Sequence, residues 1–387
     1  MTTIHPVNRM RASDCRLDDF VATLEPGHAT YPHAARTESG VVIYDADAVR
    51  AVAVDPERRD DLRDELVSAL LDGPGIVVFS GAFGASERLD DSTATFTAMV
   101  AEQRAAGDGG GDHFAAPGAN DRIWNALQKL ALRVPDLFAD YYANDILALI
   151  SEAWLGPMYQ VTSAINVVNP GGQAQQPHRD YHLGFMSPDS AARFPAHTHR
   201  VSPALTLQGA IAQVDMPLES GPTMYLPYSQ RYERGYLAFN LPEFRDYFAE
   251  HHVQLPLRAG DAVFFNPALF HAAGTNRSTS IRRMANLLQV SSAFGRAMES
   301  VDRSAMLRAL YPTLAARLRT GDRRGVDNVI AAAAEGYAFP SNLDTDPPLV
   351  GMHGETQAEL THRALATGLD AADFAAQLSA LDERHRA

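Results

Sequence analysis

The sequence predicts an α+β protein in which a β-rich middle is flanked on both sides by helical segments. From Met158 to about Ser292, short apolar runs at 161–168, 205–214, 224–226, 262–265 and 284–290 are separated by proline and glycine, the texture of short strands joined by turns. Before that region Leu62, Leu66, Val67, Leu70 and Leu71 recur at helical spacing, and beyond Arg296 the chain returns to alanine- and leucine-rich sequence.

Taken in order, residues 1–54 show no sustained period and one short apolar run, Val41-Val42-Ile43-Tyr44, so a loosely structured N-terminal arm is expected. Asp55-Pro56 opens the first helix with a capping carboxylate and a proline at the first helical position, and Gly73-Pro74-Gly75 stops it. Ile76–Phe79 then reads as a buried strand. The glycines of Gly107–Gly111 favour no regular element and match no phosphate-binding fingerprint, which predicts a mobile loop that orders when ligand binds. A second helix is expected from Pro135 to Leu155, with Leu137, Phe138, Tyr141, Ile146, Leu149 and Ile150 buried. The expected units are an arm (1–54), a domain of helices and β core (55–295) and a helical extension (296–387) suited to a lid or a homodimer surface.

Composition excludes several classes. Hydrophobic residues at 46% and charged residues at 21% describe a globular chain with a buried core. The N-terminus lacks an apolar leader and no stretch approaches the roughly 20 apolar residues that span a bilayer, so a cytoplasmic protein with no membrane partner is expected. Cys15 is the single cysteine, which excludes an intrachain disulfide and a cysteine-built metal site. A net charge of −14 argues against nucleic acid and leaves a small-molecule substrate. Lys129 is the single lysine of an arginine-rich chain, either by chance on a solvated helix face or for a local need.

The chemistry is concentrated in Gln175-Gln176-Pro177-His178-Arg179-Asp180, an H-x-D motif whose first and third residues project to one side of an extended segment. One imidazole and one carboxylate can then share a metal, and His271, after the β-like run 261–270, is the natural third ligand. Two histidines and a carboxylate on one face of an octahedral Fe(II) leave three positions open, enough for a bidentate 2-oxo acid and O₂. Chance also supplies such motifs, and His353-Gly354-Glu355 is one, set in irregular sequence with no strand-borne histidine after it. Arg282, eleven residues beyond His271 in a strand-like run, is the expected partner of the distal carboxylate of 2-oxoglutarate, with Arg283 turned away to the surface.

Three blocks carry a family resemblance: 177–182 around His178 and Asp180, Ser220-Gly-Pro-Thr-Met-Tyr-Leu-Pro-Tyr-Ser229, and Gly260 through His271 and Asn276 to Arg282. Together they resemble the phytanoyl-CoA dioxygenase family of Fe(II)/2-oxoglutarate-dependent oxygenases, over roughly residues 58–292. The resemblance implies a double-stranded β-helix (jelly-roll) core with flanking helices, and iron at His178, Asp180 and His271. It also implies 2-oxoglutarate gripped by Arg282, and hydroxylation of a C–H bond with release of succinate and CO₂. Asp180 keeps the carboxylate that halogenating relatives lack, which makes hydroxylation the default outcome. One departure is Ala273, where family members often carry a serine or threonine that helps to hold 2-oxoglutarate; Lys129 is the candidate replacement.

Tyr181, His182, Trp124 and Asn125 are candidates for the substrate pocket; structural packing is the competing reading for His182 and Trp124. His197-Thr198-His199 resembles a cupin metal motif without a following glutamate, which leaves a cupin-like isomerase or hydrolase as one alternative. A non-catalytic ligand-binding barrel is the other.

Overall fold

The structure is a computed structural model and describes residues 9–84, 87–107, 118–348 and 351–385. Ten strands form two sheets: β1 (Arg36–Glu38), β2 (Val41–Asp45), β3 (Ile76–Ser80), β4 (Asn120–Ile123), β5 (Gln160–Val168), β6 (Thr206–Ala212), β7 (Met224–Leu226), β8 (Ala262–Phe265), β9 (Phe270–Ala272) and β10 (Arg283–Ser291). Eight of them make one sheet in the order β1-β2-β3-β8-β6-β10-β5-β4, and β7 pairs with β9 in a second, smaller sheet. Only β2 and β3 run parallel. Single bridges from His178 to His271 and from Tyr225 to Val253 widen the smaller sheet on both sides.

Side-chain alternation decides what each face of the large sheet meets. Met284, Leu288 and Val290 of β10 join Ile165, Val167, Leu207, Ile211 and Phe264 in a core shared with the helices. The opposite parity, Arg283, Ala285, Leu287 and Gln289 with Asn166, Gln208, Ala210, Val263 and Phe265, lines a cavity that the smaller sheet bounds on its other side.

Two expectations change. The N-terminal residues are not a loose arm: Val42 and Tyr44 pack into the helix-facing core, while Val41 and Ile43 pack with Val263, Phe265 and Leu269, so β2 is buried on both faces as an integral strand. A short β-branched run with apolar residues of both parities gains most by entering a sheet interior. The helix Leu17–Thr23 adds Phe20, whose ring stacks on Phe270 at 5.0 Å. The segment expected as one helix over 135–155 is two, Pro135–Tyr142 and Asp145–Leu155, because the Asn144 side chain accepts from the backbone of Ile146 and Leu147 and starts a new helix.

The helices Arg303–Arg319 and Arg323–Ala333 bury Leu307, Leu310, Leu314, Val329 and Ile330 in the same core as Leu130, Phe138 and Tyr142, so this part of the 296–387 extension is continuous with the main body. Gly107, with φ 76°, closes the helix Glu87–Ala105; the rest of the glycine-rich loop, 108–117, lies outside the described residues.

Candidate metal centre and cavity

Two backbone hydrogen bonds place the H-x-D segment beside β9: His178 N donates to His271 O at 3.0 Å and His271 N returns to His178 O at 3.2 Å. Asp180 N donates to Pro267 O at 3.0 Å, which fixes the third residue against the same chain. The ligating atoms of His178, Asp180 and His271 consequently lie within 4.8 Å of one another. His178 Nε2 is 3.6 Å from Asp180 Oδ1, and His271 Nε2 is 3.3 Å from Asp180 Oδ2.

Each imidazole is oriented by its own chain. His178 Nδ1 lies 2.9 Å from Gln176 O and His271 Nδ1 2.9 Å from Leu269 O. A carbonyl only accepts, so both Nδ1 atoms carry hydrogen and both Nε2 lone pairs face the shared centre, the outer contact that metal-binding histidines need. Burial alone would push the Asp180 carboxyl up; the amide of Gln208, which donates to Oδ2, opposes this, and while the site holds no metal the two imidazoles in their protonated form bring it below the usual carboxylate range.

Arg179, between the two ligands, points the other way into an aromatic cluster. Its Nη2 donates to Ser229 O at 2.6 Å and Tyr232 O at 3.0 Å, and its guanidinium lies 5.1 and 5.2 Å from the rings of Tyr236 and Phe270. A Cβ on Gly235 would stand 1.8 Å from the Arg179 Cζ, so the close approach requires glycine there.

The triad opens into a cavity of about 570 Å³. The strand register differs from expectation at its arginines. Arg283 is buried, lines the cavity and donates to Ser220 O at 3.3 Å and Gly274 O at 3.5 Å, whereas Arg282 turns outward to Asn169 Oδ1 at 3.2 Å and Asp121 Oδ2 at 3.3 Å. The parity of a strand follows from its pairing partners, and β10 begins at Arg283 opposite Val168 of β5. The usable signal was that Arg283 shares its parity with polar Gln289, while Met284, Leu288 and Val290 form the apolar set. Among the described residues no carboxylate lies within ion-pairing distance of Arg283, and burial pushes its guanidinium down to about 10.

Lys129 is exposed on the helix Ala126–Arg133 and does not line the cavity. Thr223 lines the cavity. Ala273 also lines the cavity.

Of the substrate-pocket candidates, Trp124 lines the cavity, with the Arg122 guanidinium 4.4 Å above its ring. Asn125 does not; it adopts φ 50° and its backbone N donates to Glu299 Oε1 at 2.6 Å. Tyr181 is buried behind Asp180 against Phe185, and His182 turns to Ser202 Oγ at 3.3 Å, because positive φ at both residues breaks the extended alternation that a common face would need. His199 is buried in the helix Ala196–Ala204 with Nε2 3.1 Å from Ala191 O, and neither it nor His197 joins a metal-binding group among the described residues. Glu355 is tied to Arg363 and His353 Nδ1 faces Gly354 O, so that pair is a loop feature. Gln208, Gln289, Asn166 and Arg122 line the cavity without having been singled out in the sequence, where isolated amides in strands carry no motif.

Among the described residues no helix is long and apolar enough to cross a membrane. A curated relative, the dioxygenase trt7 of Aspergillus terreus, is 29% identical over 177 residues, which is 43% of this chain and 56% of that protein. Among solved structures, the chain is similar to the epimerase SnoN from nogalamycin biosynthesis, at 19% identity over 62% of this chain and 82% of that one, with a TM-score of 0.39. It is also similar to the carbocyclase SnoK, at 23% identity over 57% and 80% and a TM-score of 0.37. The sequence profile of the phytanoyl-CoA dioxygenases matches residues 71–284, more than half of the chain, a span that includes His178, Asp180 and His271. The chain belongs to the phytanoyl-CoA dioxygenase family of iron- and 2-oxoglutarate-dependent oxygenases.

Proposed function

We propose that this protein is an Fe(II)/2-oxoglutarate-dependent dioxygenase that hydroxylates an unactivated C–H bond of a small organic substrate. The observation that carries the reading is the convergence of His178, Asp180 and His271 on one point of a cavity whose wall also holds Arg283, a buried cation with no carboxylate partner among the described residues. The donor set fits the ion: two neutral imidazoles and one carboxylate, each already oriented, suit Fe(II) with positions left for a 2-oxo acid and O₂. When bound, the iron would supply the chemistry by which O₂ oxidises both partners, one oxygen atom ending in succinate as 2-oxoglutarate loses CO₂ and the other entering a C–H bond of the substrate as a hydroxyl.

The side chains of this chain do the rest. Arg283 takes the distal carboxylate of 2-oxoglutarate through its planar fork, a role that Arg282 cannot fill from the outer face. Thr223, which lines the same cavity as Arg283 and Ala273, stands in for the serine or threonine that Ala273 replaces. Val263, Phe265 and Leu287 keep the interior apolar, which strengthens the charge pairing and limits water at the reacting carbon. Asp180 fills the ligand position that a halide would need, which favours hydroxylation.

The test is anaerobic titration of Fe(II) and 2-oxoglutarate, followed by succinate measurement in air. Wild-type protein should bind one iron and develop the metal-to-ligand absorption band with 2-oxoglutarate. Asp180→Ala should lose succinate formation by at least about a hundredfold, above the 10–100-fold that outer contacts of a metal site typically cost. Undiminished turnover by that variant would remove the triad from the reaction.

A further inference from the structure

The cavity has a second population of polar groups that the iron and 2-oxoglutarate do not use. Gln208 and Gln289 face each other across β6 and β10 in direct register, and both side chains line the cavity. The Gln208 amide nitrogen donates to Asp180 Oδ2, and because a carboxylate only accepts, this fixes which end of the amide is which. Its Oε1 is therefore left over, buried and without a hydrogen-bond donor among the described residues. Gln289 Oε1 is also without a donor among the described residues, on a side chain only 7% exposed whose amide nitrogen end faces the Tyr181 phenol. Asn166 Oδ1, one strand away, is a third such acceptor.

A buried acceptor left unmade costs about 1–3 kcal/mol, so acceptors gathered beside a metal centre call for donors from whatever fills the space. The surroundings exclude an anion as that occupant. Arg122, the cation at this end, is already engaged and stacks on Trp124, with Glu299 close enough to influence its charge, and Asp180 lies beside Gln208. The apolar part of the wall includes Trp124, Phe185, Leu287 and Met298.

We infer that Gln208 and Gln289 form a recognition pair for a neutral, largely apolar substrate that presents a hydroxyl or N–H donor close to the carbon that is oxidised. This rests on the dioxygenase reading and names the substrate class for it. Gln208 then has two contacts of opposite kind, giving a hydrogen bond to Asp180 and accepting one from substrate, so the donor group is held next to the metal ligand. An acyl-CoA or a free carboxylate would bring negative charge against Asp180 and three amide oxygens.

Matched triplets on fused-ring skeletons test it: for decalin, hydrindane and perhydrophenanthrene, the alcohol, its methyl ether and the corresponding carboxylate. Binding is measured by NMR titration to the anaerobic Fe(II) protein loaded with 2-oxoglutarate. At least one alcohol should bind tenfold or more tightly than its ether and its carboxylate. Gln289→Met and Gln208→Met should each reduce the alcohol-to-ether ratio to within about threefold of unity, with 2-oxoglutarate titration of each variant reporting that the site is assembled. No alcohol preference in the wild-type protein, a preference for a carboxylate, or a ratio unchanged in both assembled variants would overturn the inference. Absence of 2-oxoglutarate binding to the wild-type protein would instead overturn the dioxygenase reading, and this inference with it.

Discussion

Arg179 and Arg283 are both buried arginines without a carboxylate partner among the described residues, and burial pushes both guanidinium groups down to about 10, yet they sit in regions that do opposite things. Around Arg179 the space is full: carbonyls at 2.6 and 3.0 Å, two aromatic faces, and a glycine whose missing side chain makes room for the guanidinium. Around Arg283 the two carbonyl contacts are long, 3.3 and 3.5 Å, and the side chain faces the cavity. Burial and a shifted titration are therefore shared by a packing device and a ligand site. What separates them is whether there is volume for a partner.

The largest effect that would sharpen this contrast is on 2-oxoglutarate. Removing one partner of a buried charge pair costs about 3–5 kcal/mol, and each 1.4 kcal/mol is about tenfold in affinity. Arg283→Ala should weaken 2-oxoglutarate at least a hundredfold with iron binding retained, and Arg283→Lys should recover only part of the loss because an ammonium lacks the fork. Arg282→Ala, which removes an outward contact to Asp121, should change the dissociation constant by less than about threefold. Titration of the absorption band measures all three variants, and the reverse ranking of Arg282 and Arg283 would break the comparison.

A middle-sized effect belongs to the other region. Gly235→Ala forces a methyl group into the Arg179 guanidinium and should destabilise folding by about 1–3 kcal/mol, the usual cost of overpacking, read by urea denaturation. Its 2-oxoglutarate affinity in the folded protein should stay within about threefold of wild type. A large affinity loss with normal stability would show that the aromatic cluster serves the ligand after all.

The smallest effect tests the cupin-like alternative. His197 and His199 lie at adjacent odd positions of a helix, where they point in different directions, and His199 is already bonded to Ala191 O. His197→Ala should leave the iron stoichiometry and affinity unchanged within about twofold; loss of the metal would restore that alternative.

The sequence by itself determined the α+β class, the strands of the β-rich middle, the family and the three residues that converge as a candidate metal site. The reason is local: H-x-D is a contact between residues two apart, and the run that carries His271 announces a strand from its own composition. The sequence also read β2 as a short apolar run, but only its neighbours β1 and β3 made it an interior strand. Register, the helix break at Asn144 and the facing of single side chains were decided by tertiary structure. Arg282 and Arg283 have the same chemistry and adjacent positions, and within the strand only the parity that Arg283 shares with Gln289 ranks them; hydrogen bonding of β10 to β5 and β6 set which parity meets the helices and which meets the cavity. The amides of Gln208 and Gln289 are 81 residues apart in the chain and become one feature only because β6 and β10 pair.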